Sequence, residues 1–343
     1  MEALVVEPGT AHSARVEDVR EPSGEGVRLR VLEVGVCGTD REIAEGSFGV
    51  APEGSDRLVI GHESLAVVDR DGDGFSKGDL VSVTVRRSCG RCLACGEGAP
   101  DSCLTGDYGE RGITGLDGFA CELVLEDPEH LVPIPRSLGR LAVLAEPASI
   151  CARGVRHLLA IGGRQPWRRE RALVMGAGAI GLLSTMLLRL QGIDVWTASR
   201  ATTNETVEAL GAHYVSTADT PLAELGGFDV VVEAAGDAEL MVASLGLVRR
   251  NGVVCILGID GRDQRVELDG RVIGVDAVLQ NRVLFGSVNA HKQDWLAGVG
   301  ALDEARRRFP DAVERLIGLR VPLDRFEEAF AFRGGKATLV LEE

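Results

Sequence analysis

The apolar run Ala172-Leu-Val-Met175 leads directly into Gly176-Ala-Gly178-Ala179-Ile180-Gly181 and then into the helical stretch GLLSTMLLRLQG. This junction constrains the fold more than any other part of the chain. A strand passing through glycines into a helix is the opening of a parallel-sheet crossover. The first glycine permits the tight turn, the second lets backbone approach a pyrophosphate, and the third lets helix and strand pack closely. The helix N-terminus then offers unpaired N–H groups and partial positive charge to the phosphates. Alone, Gly-x-Gly-x-x-Gly is equally an ordinary strand-to-helix turn. Here four more apolar runs follow, IDVWTASR, FDVVVEAAG, GVVCILG and RVLFGSVNA, alternating with helical stretches. The expectation is an α/β region with a doubly wound parallel sheet, binding a dinucleotide at Gly176, Gly178, Ala179, Ile180 and Gly181.

An NAD-selective site places Asp or Glu about 20 residues further on, where it accepts hydrogen bonds from the ribose 2′-hydroxyl. In this chain the second strand ends Ala198-Ser199-Arg200. A carboxylate repels a 2′-phosphate, whereas a hydroxyl and a guanidinium bind one. Ser199 and Arg200 are therefore expected to favour NADP and tolerate NAD. The competing reading is that Arg200 simply faces solvent, as most arginines do.

The chain ahead of this region reads as short strands, VRLRVLEVGVCG, LVIGHESLAVVD and DGDGFSKGDLVSVTV, with Gly and Asp at the breaks. Residues Leu141 to Ile161 have helical spacing and bridge the two regions. The tail RFEEAFAFRGGKATLVLEE reads as a helix, a Gly-Gly turn and a final strand that rejoins the first domain. At roughly 100 to 200 residues per domain, a chain of 343 residues suits two domains. Its 45% hydrophobic and 26% charged residues exclude a disordered, collagenous or coiled-coil chain. Fifty-two acidic against 37 basic residues give a net charge of −15, so neither nucleic acid nor an anionic membrane is an expected partner. No apolar run reaches ~18 residues, and the start MEALVVEPGT lacks a basic segment followed by a long apolar one. The expected compartment is the cytoplasm.

Cys89-x-x-Cys92-x-x-Cys95-x7-Cys103 sets four thiols in a 15-residue loop turned by Gly90, Gly96, Gly98 and Pro100. Such spacing suits a closed tetrahedral zinc site that folds a lobe with almost no core of its own. An iron–sulfur cluster is the metal alternative. The bacterial ferredoxin run, however, places its fourth Cys after three residues and follows it with Pro, and neither holds here. Two disulfides are the non-metal alternative, disfavoured in a reducing compartment.

A looser set comprises Cys37-Gly-Thr39-Asp40, Gly61-His62-Glu63 and Glu146-Pro147, each at a strand edge or a helix start. Cys, His and a carboxylate with one open position form a catalytic zinc site, where the metal polarises a bound alcohol. Taken singly, Cys37 reads as a small buried hydrophobe, His62 as a core histidine and Glu146 as a helix N-terminal charge. Together, beside a cofactor that accepts hydride, they favour an alcohol-oxidising site.

GVCGTDREI, GHES, the four-cysteine lobe, LAEPAS and GAGAIG, in that order, resemble the zinc-dependent medium-chain dehydrogenase/reductase superfamily over nearly the whole chain. Within it the sequence is most similar to the archaeal-type glucose 1-dehydrogenases. That likeness rests on GVCGTDREIAEG, CLTGDYGERGI, DGFACELVLEDPEHLVPIP, VWTASR and LFGSVNAH. The resemblance implies a GroES-like β-rich catalytic domain over residues 1–155 with a structural zinc lobe, a Rossmann domain over 156–290, and a return to the catalytic domain over 291–343.

Carried over by position, Cys37, His62 and Glu146 are catalytic zinc ligands, with Glu63 an exchangeable ligand or a base behind them. Thr39 hydrogen-bonds the substrate oxygen, Glu110, Glu146 and Asn289 bind sugar hydroxyls, Asn289 also touches the cofactor, and Arg200 meets the NADP phosphate. Two zinc ions per subunit follow. Val85 and Leu279 depart from the pattern where some members carry a polar sugar-contacting side chain, and Ala201 stands where NADP-preferring members often have a second arginine. The implied reaction is oxidation of the C1 hydroxyl of an aldose, glucose to gluconolactone, with NAD(P). A polyol or alcohol dehydrogenase of the same superfamily and a catalytically inactive NADPH-binding sensor are the alternatives. Glu110 argues for a hydroxylated substrate, and the presence of every zinc-ligand type argues against an inactive sensor. Family members form dimers or tetramers, so a homodimer or homotetramer is expected, with RVLFGSVN as an edge strand for subunit pairing.

Overall fold

Along Val27–Val36 buried side chains alternate with half-buried ones as far as Leu32, and every residue from Glu33 on is buried. That pattern suits a central strand covered on one face and then on both. In the computed structural model, which describes residues 1–342, this strand is the centre of a seven-stranded sheet. Glu63–Val68 and Lys336–Val340 flank it, both antiparallel, and Leu123–Glu126 also pairs with it. Leu80–Val83 and Leu131–Pro133 extend one side and Ile317–Pro322 the other. Two three-stranded sheets complete this unit. One joins Glu2–Val6, Arg15–Asp18 and Leu58–Val59, and the other joins Arg86–Arg87, Gly109–Arg111 and Gly115–Leu116. Its core holds Leu29, Val31, Val34, Val83, Phe119 and Leu131.

The second unit is a six-stranded sheet with every neighbouring pair parallel, ordered His213–Ser216, Asp194–Ser199, Arg171–Met175, Phe228–Glu233, Val248–Ile256, Val283–Gly286. Counted along the chain this is the order 3-2-1-4-5-6 of a doubly wound dinucleotide fold. Its core includes Leu173, Met175, Phe228, Val231 and Val254. The four runs read after ALVM all form strands. His213–Ser216 is a further strand that the sequence reading missed, because it is short and only Ser216 in it is fully buried.

The first unit comprises residues 1–146, 289–302 and 317 onward, and the second comprises 147–288 and 303–316. The division thus falls at 146/147, inside the helix Ala145–Gly162, rather than at 155/156. Residues 303–316 lie in the second unit, against the expectation that everything after 290 returns to the first. The reason is local: the short helix Pro310–Glu314 packs on Glu205–Ala209, and Arg315 Nη1 meets Glu205 Oε2 at 2.6 Å. The final strand Lys336–Val340, by contrast, lies beside Val27–Val36, as its Gly-Gly turn suggested.

Candidate active site and metal centres

The four-cysteine loop contains one short helix, Leu93–Gly96, which buries none of its residues. Leu93 and Leu104 are exposed. Packing therefore cannot hold the lobe, and the thiols do the gathering. Cys89–Cys95, Cys92–Cys95, Cys92–Cys103 and Cys103–Cys89 sulfurs stand 3.9, 3.4, 4.0 and 3.5 Å apart. A tetrahedral ion with bonds of about 2.3 Å needs sulfurs about 3.8 Å apart, whereas a disulfide needs about 2.05 Å. The spacing fits one zinc ion and leaves no room for the four irons of a cluster. Leu104 N–H donates to Cys92 Sγ at 3.4 Å. The Thr105 hydroxyl beside Cys103 brings that thiol down to about 6, and desolvation pushes Cys95 up to about 11.

Cys37 follows the central strand directly and precedes the helix Gly38–Ala44, so strand end and helix start fix its backbone. Its Sγ lies 3.2 Å from His62 Nε2. Asp40, buried in the first turn of that helix, accepts the Cys37 backbone N–H at 2.8 Å through Oδ2 and places Oδ1 3.3 Å from His62 Nδ1. One carboxylate thereby orients two candidate ligands, a role the sequence reading did not assign to Asp40. Its only sequence signal was an acid three residues after Cys37. Thr39 is half-buried on the same turn. Glu63 opens the strand Glu63–Val68, and Glu146 lies in the first turn of Ala145–Gly162; both are buried.

The ligand atoms form two overlapping groups, Cys37–Asp40–His62 and His62–Glu63–Glu146, each within 4.8 Å. His62 belongs to both, while Cys37 and Glu146 fall in different groups. Burial pushes the Glu146 carboxyl up to about 7, helped by the charge of Glu63. Burial opposes a charged His62, but the Cys37 and Asp40 charges outweigh it and hold the imidazole well above its ordinary range. The mixed sulfur, nitrogen and oxygen donor set gathered here fits zinc.

Glu110 lies on Gly109–Arg111, paired in register with Arg86. Arg86 Nε and Nη2 both meet Glu110 Oε1, at 3.0 and 2.9 Å, and the guanidinium stacks 3.9 Å from the Tyr108 ring. The sequence reading named Glu110 but missed Arg86, which orients it. Asn289 takes a left-handed backbone conformation and donates to Asp101 O at 3.4 Å, while His291 Nε2 lies 2.7 Å from Gly98 O. Of the two departures from the family pattern, Val85 is buried and Leu279 is exposed.

In the second unit, Gly176 has φ +108° and a Cβ there would lie 2.9 Å from Ala234 C. A Cβ on Gly181 would lie 2.0 Å from Gly176 O. Neither position admits a side chain. Gly178, at the N-cap of Ala179–Leu190, has open space around it, as a phosphate approach requires. Ser199 ends Asp194–Ser199 with its Oγ 2.7 Å from Tyr214 Oη, whose hydrogen goes to Ala201 O at 2.7 Å. Tyr214, on the unanticipated strand, thus takes up the Ser199 hydroxyl. Arg200 is exposed and makes no ion pair among the described residues.

Residues 139–342 match the family described as glucose dehydrogenase C-terminus, and residues 23–136 match the alcohol dehydrogenase GroES-like domain. The chain is 42% identical to a glucose 1-dehydrogenase of Methanocella arvoryzae, over 96% of this chain and 95% of that one. It is 41% identical to glucose 1-dehydrogenase 1 of Caldivirga maquilingensis, over 100% and 99%. In structure it is similar to Haloferax mediterranei glucose dehydrogenase in complex with NADP, Zn and gluconolactone, at 31% identity and a TM-score of 0.91, with both chains covered completely. With a matched family region spanning more than half its length and relatives this similar from end to end, the chain belongs to the glucose dehydrogenase family.

Proposed function

We propose that this protein is a zinc-dependent dehydrogenase that oxidises the C1 hydroxyl of an aldopyranose such as glucose to the lactone, with NADP the preferred hydride acceptor and NAD tolerated. The observation that carries this reading is the buried cluster around His62 in a chain similar throughout to an enzyme whose complex holds NADP, Zn and gluconolactone. Cys37, His62 and Glu146 would hold the catalytic ion, and Cys89, Cys92, Cys95 and Cys103 the structural one. When bound, zinc supplies a Lewis acid for the hydroxyl oxygen and NADP supplies the hydride acceptor.

The remaining work falls to side chains of this protein. Asp40 orients His62, so that Nε2 rather than Nδ1 faces Cys37. Thr39 and Glu63, within two residues of the proposed ligands, would pass on the hydroxyl proton. Arg86 occupies only Oε1 of Glu110, so Oε2 can accept from ring hydroxyls, with Asn289 and Glu146 as further contacts. Gly176, Gly178, Ala179, Ile180 and Gly181 would cradle the pyrophosphate, Asn289 would also touch the cofactor, and Ser199 and Arg200 would meet the 2′-phosphate. The lobe's reduced thiols suit the cytoplasm. Copies of the chain pair, in this reading, along the outer edge of Val283–Gly286, which has a neighbour on one side only and apolar side chains exposed at Leu284 and Val288.

Aldoses, polyols and simple alcohols assayed with both cofactors test the assignment. Half-buried and buried groups built to meet hydroxyls are left unpaired by ethanol, so an aldose should exceed it in kcat/KM by on the order of 10⁴. With Val85 unable to hydrogen-bond, galactose or xylose should also turn over. An unbranched alcohol outperforming every aldose would replace the sugar reading with a general alcohol dehydrogenase.

A further inference from the structure

One buried cation beside the ligand cluster has no part in the reading above. Lys336 opens the final strand, next to the Ala337↔Val36 pair, so residues almost 300 positions apart meet at the site. Its side chain is 3% exposed and that of Glu63 2%, with Nζ 2.6 Å from Glu63 Oε1 and 3.4 Å from Val36 O. The other oxygen, Glu63 Oε2, is buried without a hydrogen-bond partner. It fills space that exists because residue 35 is glycine: Gly35 is in register with Glu63, and a Cβ there would lie 2.0 Å from Oε2. Yet Glu63 also has a ligand oxygen within 4.8 Å of those of His62 and Glu146. A carboxylate so near a dication is a competing ligand, and a catalytic zinc needs one position kept open.

We propose that Lys336 is a positioning residue whose ammonium, together with the niche over Gly35, holds Glu63 back from the metal so that the substrate hydroxyl can take the open position. This rests on the zinc reading of Cys37, His62 and Glu146. A sidechain ammonium gives Glu63 a partner it can keep without displacing the substrate. Remove that partner, and the buried carboxylate loses the ammonium bonded to it and is free to turn to the metal. Gly35 acts sterically in the same direction, since any Cβ would push the carboxylate out of its niche.

The test uses the full-length protein loaded with cobalt, with the spectrum of Cys37→Ser subtracted to remove the lobe's contribution. Wild type should show intense four-coordinate bands. Lys336→Met should keep four-coordinate bands but shift them as a carboxylate replaces water in the fourth position, hold its ion about tenfold more tightly against a chelator, and lose kcat with little change in the KM for NADP. Lys336→Arg should restore the wild-type spectrum, and Lys336→Met combined with Glu63→Gln should do the same, because the competing anion is gone. Gly35→Ala, which removes the niche and keeps the charge, should shift the spectrum as Lys336→Met does, and it decides the matter if Lys336→Met fails to fold. Wild-type spectra and chelator resistance in folded Lys336→Met, or in Gly35→Ala when that variant must stand in, would overturn the role of Lys336 and leave the zinc reading intact. A wild-type protein that holds no ion outside the lobe would overturn both.

Discussion

Arg200 carries an exposed guanidinium with no ion pair among the described residues, so a 2′-phosphate would face no internal competitor for it. Ser199 is differently placed: its hydroxyl already serves Tyr214, so the charge-assisted bond from Arg200 should dominate discrimination. Arg200→Ala should raise the KM for NADP about tenfold and leave that for NAD nearly unchanged, a difference that initial-rate kinetics with each cofactor would resolve. An unaltered NADP KM would mean that the guanidinium points away from the phosphate. The residues themselves were readable here, but their partners were not. Nothing in the local sequence links Tyr214 to Ser199, Arg86 to Glu110 or Lys336 to Glu63, because each pair is joined by strand registry across a sheet or between distant segments.

The four-cysteine lobe is the element most completely written into the chain. Four thiols at short intervals, glycines for the turns, and Leu93 and Leu104 left exposed leave one way to order it, and the sulfur spacing agrees. Cys89→Ser should remove one of two zinc ions per chain and lower the melting midpoint by about 5 °C or more, the shift that ~2 kcal/mol produces in a domain of this size. Cys37→Ser should lose the other ion and turnover while melting close to wild type, since packed strands and a helix hold its surroundings. Metal analysis with calorimetry separates the two, and a wild type with a single zinc would defeat the two-site reading. The glycine turn was equally legible, since the prohibitions at Gly176 and Gly181 are local sterics. The strand His213–Ser216 was not, for it is short and draws its pairing from Asp194–Ser199 rather than from any pattern of its own.

Beyond single elements, the exposed apolar side chains Val278, Leu279, Leu284 and Val288 cluster in sequence around the outermost strand of the parallel sheet. An open edge flanked by apolar surface favours pairing with a second copy. Sedimentation should therefore give a multiple of the 36.4 kDa chain mass, and Leu284→Arg, which sets a charge on that edge, should shift it toward the monomer. A monomeric wild type would remove the pairing proposal. Among the described residues no helix is long and apolar enough to cross a membrane. Local chemistry sufficed for much of this protein: the strand–glycine–helix junction, the four-cysteine lobe and the separation into a β-rich part and a parallel-sheet part all follow from periodicity, turn sterics and thiol spacing over a few tens of residues. Long-range chain placement decided the rest. Residues 303–316 joined the second unit because one short helix found its partner at Glu205–Ala209, and the buried cluster formed because Cys37, His62, Glu146 and Lys336 are brought together by three strands and a helix from opposite ends of the chain. Such meetings depend on which strands pair and in what register, an outcome of the summed packing of the sheet that no local window of sequence contains.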